Sequence, residues 1–135
     1  MEQEKAKRFG VLVFKREYVN AILSGEKRTT VRLGRLVPAK EEVVIWSGGR
    51  PVAKVKVKGV KYKKLGELTS EEAKADGFDS VEALVYALEK HYGKKLSENQ
   101  PVSIVEFELV KPVKPEESID YYIRDRYGPF TFGRR

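Results

Sequence analysis

Residues 51–62 constrain the fold more than any other part of the chain. Ala53, Val55 and Val57 alternate with Lys54, Lys56 and Lys58, the period-two pattern of a strand with one buried face. After Gly59 the parity reverses, and Val60 and Tyr62 become the apolar set. A one-residue phase change at a glycine predicts a β-bulge. Bulges bend strands, and a strand bent midway suits a small barrel. The three lysines form a cationic stripe on the opposite face. Such a stripe can follow nucleic-acid phosphates, or it can keep a strand soluble and resist edge pairing. The pattern fits both.

The flanking sequence supplies partners for this strand. Residues 9–14 are an apolar run that reads as a strand, 15–24 as a helix, and 28–33 as a second strand. Residues 34–40, with Pro38, read as a loop. Residues 41–46 read as a strand, and Ser47-Gly48-Gly49-Arg50-Pro51 as the turn that joins it to the lysine-striped strand. Thr69 is placed to N-cap a short helix, with Glu71 and Glu72 in its first turn and its end near Gly77. Ser80 is placed to cap a second helix, in which Val81, Leu84, Val85 and Leu88 recur at helical spacing before Gly93. Val102, Ile104, Phe107 and Leu109 mark a last strand. The sum is an α+β domain, with Phe14, Phe107 and Tyr62 expected in the core. Trp46 suits either the core or a base-stacking surface.

A second segment points to chemistry. Tyr18, Ile22 and Leu23 give a helix its apolar stripe, and Gly25 stands where a left-handed C-cap residue belongs. Thr29, Val31 and Leu33 then alternate with Arg28, Thr30 and Arg32. One face of this strand is apolar. The other carries two guanidiniums around a hydroxyl, with Lys27 at the entrance. Such a group suits an anionic or carbonyl-bearing ligand, although outward Arg and Thr are also ordinary solvated residues.

Composition narrows the classes. The 135 residues suit one domain, and 41% apolar content suits a packed interior. With no cysteine and a single histidine, His91, neither a thiol nucleophile nor a zinc cluster is available. His91 lies near the end of a helix with no motif around it and is expected to be a surface or half-buried residue. No metal and no cofactor is expected. High Lys and Glu content with a single Met fits a thermophilic composition. No apolar run approaches the roughly 20 residues of a membrane span. Residues 1–8 lack a signal-peptide core, so a soluble, cytoplasmic protein is expected. The net charge is +7, unevenly spread: residues 1–68 hold 17 Lys and Arg against 7 Asp and Glu. A one-sided positive field favours a polyanion such as RNA.

The string Gly25-x-Lys27-x-x-Thr30-x-Arg32 resembles the signature of the ASCH (activating signal cointegrator homology) family. Phe14, Leu68 to Ala73, Asp76-Gly77-Phe78, Tyr92 and Val105-Glu106-Phe107 follow in matching order. The resemblance implies a PUA-like β-barrel with flanking helices over residues 1–111, leaving 112–135 as a C-terminal extension. It also implies that RNA or a modified nucleoside binds a basic cleft. Arg28, Arg32, Trp46 and the stripe Lys54, Lys56, Lys58 are the candidate binding residues.

Some relatives in that family resemble metal-free amidohydrolases that deacylate N4-acetylcytidine with a Lys, a Thr and a carboxylate. The resemblance puts these roles on Lys27, Thr30 and Asp76, where the family enzymes carry Glu. Lys27 would act as base, Thr30 as nucleophile and Asp76 as proton shuttle to the leaving amine. Aspartate is one methylene shorter, and a misplacement near 1 Å costs on the order of 100-fold. Asp76 before Gly77 can equally serve the helix end and its turn. Binding therefore ranks ahead of hydrolysis, and weak ribonuclease activity with Lys27 and Arg32 as charge stabilisers ranks third. Lys27 is expected to be accessible, so that its removal costs within about 0.5 kcal/mol. The aromatic-rich extension, with a short helix over residues 116–126, is expected to dock on the domain. Its aromatics would otherwise mediate a weak homodimer of an otherwise monomeric chain.

Overall fold

The structure, a computed structural model, describes residues 5–121. Among the described residues seven strands and three α-helices are complete, and a further helical turn begins at Ser118. The strands are β1 (Lys7–Phe9), β2 (Val11–Val13), β3 (Thr29–Leu33), β4 (Leu36–Pro38), β5 (Glu42–Ser47), β6 (Arg50–Lys64) and β7 (Pro101–Pro112). The helices are α1 (Val19–Leu23), α2 (Ser70–Ala75) and α3 (Val81–Tyr92). Five strands form a curled half-barrel sheet in the order β2-β5-β6-β7-β3, and β1 pairs with β4 in a small parallel ribbon. This is the α+β, PUA-like architecture that the sequence predicts.

The bulge is where the lysine strand changes phase. Val57 of β6 pairs with Phe107 and Gly59 pairs with Glu106, so Lys58 is left without a partner in the ladder. A second slip lies between Lys54 and Val55, and a third between Ile45 and Trp46 where β5 meets β6. Extra residues on one strand raise its twist and curl the sheet. Ala53 and Val55 are fully buried before the bulge. Tyr62, expected in the core, is instead 39% exposed. Val60, just past the bulge, still packs against the core; farther along β6, Tyr62 lies under the Arg35 guanidinium while its hydroxyl donates to the Leu36 carbonyl.

Three other expectations change. The run at 9–14 is two strands, because the chain crosses from the β1–β4 ribbon to the main sheet at Gly10. The loop expected at 34–40 contains β4. Buried Ser103 pins it, accepting from the Leu36 N–H at 2.9 Å and donating to the Gly34 carbonyl at 2.7 Å. The helix expected at 15–24 is a 3-10 turn, Arg16–Tyr18, followed by the five residues of α1.

The curled sheet buries both faces. Leu12, Phe14, Ile22, Val43, Val55 and Phe107 fill the concave side. Val31, Val102 and Ile104 project from the other side against Leu68, Ala73, Leu84 and Leu88 of the helical layer. Register explains the division along β3: Val31 lies opposite Ile104, and Thr30 opposite Val105. Thr30 and Arg32 therefore sit on the concave side, at the free edge of the sheet.

Glu72 fastens α2 to β6. Its carboxylate accepts from the Thr69 N–H at 2.9 Å, completing a capping box, and from Lys63 at 2.9 Å and Lys61 at 3.0 Å. Burial alone would push this carboxyl up. The hydrogen bonds from Lys63, the Thr69 backbone and Lys61, with the Lys63 charge, outweigh that and lower it from 4.5 to about 2. The folded value lies below the ordinary one, so this stabilisation is present above about pH 4.5 and is lost as the pH falls toward 2. Glu72→Ala is expected to cost about 1–2 kcal/mol at pH 7 and much less near pH 2. Thermal midpoints of the two proteins across that range provide the check. An equal gap at both ends would refute the assignment.

After β7 the chain stays against the sheet. Val113 N–H donates to the Val52 carbonyl at 2.9 Å, Lys111 pairs with Glu117 at 2.7 Å, and Tyr121 is 6% exposed. Of the expected helix face, Ile119 is exposed; Tyr122, Ile123 and Arg126 lie outside the described residues. A glutamate-specific protease is expected to cut slowly after Glu116 and Glu117, because both lysines of this segment, Lys111 and Lys114, precede prolines and are closed to trypsin. Rapid cleavage there with an unchanged thermal midpoint would show that the extension adds nothing to the fold.

Candidate functional site

Lys27 reaches its place because Gly25 adopts φ +82°, which ends α1 in a left-handed turn and reverses the chain into β3. The Lys27 N–H donates back to the Ala21 carbonyl at 2.9 Å. Its side chain is buried, with Nζ 2.9 Å from Asp76 Oδ1 and 3.0 Å from the Asp76 carbonyl oxygen. The ammonium also lies 5.2 Å from the Tyr18 ring centroid and 5.9 Å from that of Phe14. This corrects the expectation of an accessible lysine. A residue whose charge is paired and walled by rings cannot be removed at little cost.

Asp76 is the C-cap of α2, and Gly77 at φ +97° turns the chain away. The capping bonds come from backbone groups, so the carboxylate is not spent on the turn. It points to Lys27 and lies 3.4 Å from Thr29 Oγ1. The aspartate thus reaches the lysine despite its shorter side chain. Burial pushes this carboxyl up from its ordinary value, against the opposing pull of Lys27, Thr29 and Arg32.

Arg32 ties the site across the mouth of the half-barrel. Its Nε donates to Thr30 Oγ1 at 2.9 Å, and its Nη2 donates to the Val13 carbonyl at 2.9 Å. β2 and β3 are the two edges of the sheet, so this one guanidinium joins them. It lies 4.8 Å from the Phe14 ring centroid. Burial lowers its pKa from the usual guanidinium value, opposed by Tyr92 and Asp76.

Lys27, Thr30, Arg32 and Asp76 line one half-open cleft. Phe14, Tyr18, Phe78, His91 and Tyr92 supply its walls. Burial, then Glu17 and Asp76, push the Tyr18 hydroxyl up, so it stays a neutral donor. The sequence gives Tyr18 only a packing role and His91 none. The missed signal is the α3 stripe, since Leu84 and Leu88 continue at the same spacing into His91 and Tyr92. His91 is exposed, at the cleft wall.

The other candidate residues stand elsewhere. Arg28 is exposed and its Nε donates to the Gly25 carbonyl at 2.9 Å, steadying the turn. Trp46 is half-buried at the β5 irregularity and does not line the cleft. Lys54, Lys56 and Lys58 also stand outside it, within 3.4–3.6 Å of Glu42, Glu41 and Glu108. These partly exposed pairs dilute the stripe's positive field. Among the described residues no group of His, Cys, Asp or Glu gathers as metal ligands, and no helix is long and apolar enough to cross a membrane.

The ASCH domain pattern matches residues 7–111, which takes in the barrel, the helices and every cleft residue. The chain belongs to the ASCH domain family. This ASCH domain is similar in fold to solved relatives of low identity. An ASCH domain from Lactobacillus crispatus superposes with a TM-score of 0.61 at 17% identity, covering 75% of this chain and 80% of that one. The ASCH protein of Zymomonas mobilis gives 0.59 at 17% identity, covering 86% and 77%. A protein from Enterococcus faecalis gives 0.58 at 18% identity, covering 71% of each. No curated protein matches the chain significantly. The ASCH family is generally associated with RNA binding.

Proposed function

We propose that this ASCH domain binds a nucleoside unit, free or within RNA, in the cleft at the β3 edge. The carrying observation is the floor of that cleft. Lys27 and Arg32 are held on Asp76 and Thr30 beneath aromatic walls. A lysine ammonium has three donors, and Lys27 directs two of them to Asp76. The third has no acceptor among the described residues and suits a base carbonyl. Thr30 Oγ1 accepts from Arg32, so its own proton can be donated to a ligand. Tyr18 and Tyr92 offer faces on which a base can stack, worth about 1–3 kcal/mol per base.

Titration of the protein with cytidine, N4-acetylcytidine and a short single-stranded RNA is the test. Thr30→Ala is expected to weaken binding about tenfold, the effect of one lost hydrogen bond. No binding to the wild type, or no effect of Thr30→Ala, would overturn the reading.

One observation favours deacylation of N4-acetylcytidine as a second reading: the Asp76 carboxyl is raised and within reach of Lys27. Against it, Thr30 Oγ1 is bonded to Arg32 and not to Lys27. Incubation with N4-acetylcytidine decides. Cytidine released by the wild type and not by Thr30→Ala would make hydrolysis the function.

A further inference from the structure

A second cavity lies behind the first. The chain from Arg16 through α1 separates them: Lys15 and Tyr18 face the nucleoside cleft, whereas Arg16, Val19 and Asn20 face a groove beside the β5–β6 turn. A helix is about 10 Å across, so the two sites are neighbours.

The groove has a polar end. Ser47 is 6% exposed, and its Oγ has no hydrogen-bond partner among the described residues. Such a group is rare in a folded protein and calls for an explanation. Two arginines stand around it. Ser47 is paired in the ladder with Arg50, and Arg16 lies over the turn, with its Nη2 3.3 Å from where a Gly48 Cβ would stand. Gly48 at φ +61° and Gly49 at φ +78° keep this turn tight and bare, so that a guanidinium can approach it. Neither arginine has a carboxylate partner among the described residues, unlike Lys54, Lys56 and Lys58. Asn20 and Ser118 complete the polar lining.

We infer that Arg16, Arg50, Asn20 and Ser47 form a phosphate subsite for the backbone of an RNA strand whose base occupies the cleft. The inference rests on the nucleoside reading for its partner. Two guanidiniums present forked donors that match phosphate oxygens. The Ser47 hydroxyl supplies a further donor once a rotamer change turns it to the anion. A free nucleoside, lacking the phosphate, would gain nothing from these residues. They would make the domain prefer a polymer or nucleotide over a nucleoside.

The test follows backbone amides 47–50 by NMR while the full chain is titrated with inorganic phosphate, with cytidine, and with a short cytidine-containing single-stranded RNA. Wild type and Arg16→Gln/Arg50→Gln are compared. Phosphate and RNA are expected to move amides 47–50, and cytidine to move only cleft residues. The double variant should bind the RNA about tenfold or more weakly, with a log–log salt slope shallower by about 0.7 per lost phosphate contact. Its cytidine affinity should be unchanged. Amides that stay still with phosphate and RNA, or that respond to phosphate but not RNA, overturn the subsite. So does an RNA affinity untouched by the double substitution. Those results leave the cleft reading standing, whereas its own failure appears as cleft residues unmoved by cytidine.

Discussion

Lys27→Ala is expected to destabilise the domain by about 3–5 kcal/mol near neutral pH, because it strands a buried carboxylate. Asp76 is 4% exposed, and Lys27 is its only cationic hydrogen-bond donor among the described residues. Burial already holds the Asp76 carboxyl above its ordinary 3.8 with the lysine in place. Removing the lysine raises it further. A carboxyl raised on folding favours the folded state below its ordinary value and disfavours it as the pH rises through the folded value. The cost of Lys27→Ala should therefore be small near pH 4 and grow toward neutrality. The double variant Lys27→Met/Asp76→Asn, which removes both charges, should recover most of the loss at pH 7. Denaturant midpoints at the two pH values test this. A single variant as stable as the wild type at pH 7 would show that the pair is not buried in solution.

Phe107→Ala is expected to cost about 3–5 kcal/mol and to loosen the cleft as well. Phe107 is 2% exposed and meets Phe14 edge-to-face at 6.1 Å. Phe14 in turn lies under the Arg32 guanidinium that ties β3 to β2. A void behind Phe14 frees the ring and then the arginine, so ligand affinity should fall even at temperatures where the variant stays folded. Tyr62→Ala is the contrast. Its exposed ring has one hydroxyl bond and one stacked arginine, so about 1 kcal/mol is expected, with no effect on the cleft. Equal losses for the two would contradict the division of the core.

Much of this was legible in the sequence because local rules carry it. Gly59 marks a change of phase, and phase is a property of neighbouring residues. The caps Thr69 and Ser80 and the stop at Gly93 depend on single turns. The string from Gly25 to Arg32 contains three of the four residues of the cleft floor, Lys27, Thr30 and Arg32, and lacks only Asp76. Its parity put Thr30 and Arg32 on one face of β3, where they are.

Burial was harder to read, because it depends on what comes from far along the chain. Lys27 looks like a solvated helix-end residue until Asp76, 49 positions later, is folded against it. Tyr62 shares the parity of Val60, which packs against the core, yet it stands far enough along β6 to reach the surface. His91 and Tyr92 belong to a stripe whose purpose appears only when β3 lies across from it. Local periodicity and turn chemistry determined which residues form strands, helices and caps, and which share a face. The tertiary structure alone decided which of those faces are shielded from water. That decision made an ordinary lysine and aspartate a buried pair, and made Arg32 the clasp across an open barrel, since a charge placed out of water must find its partner inside.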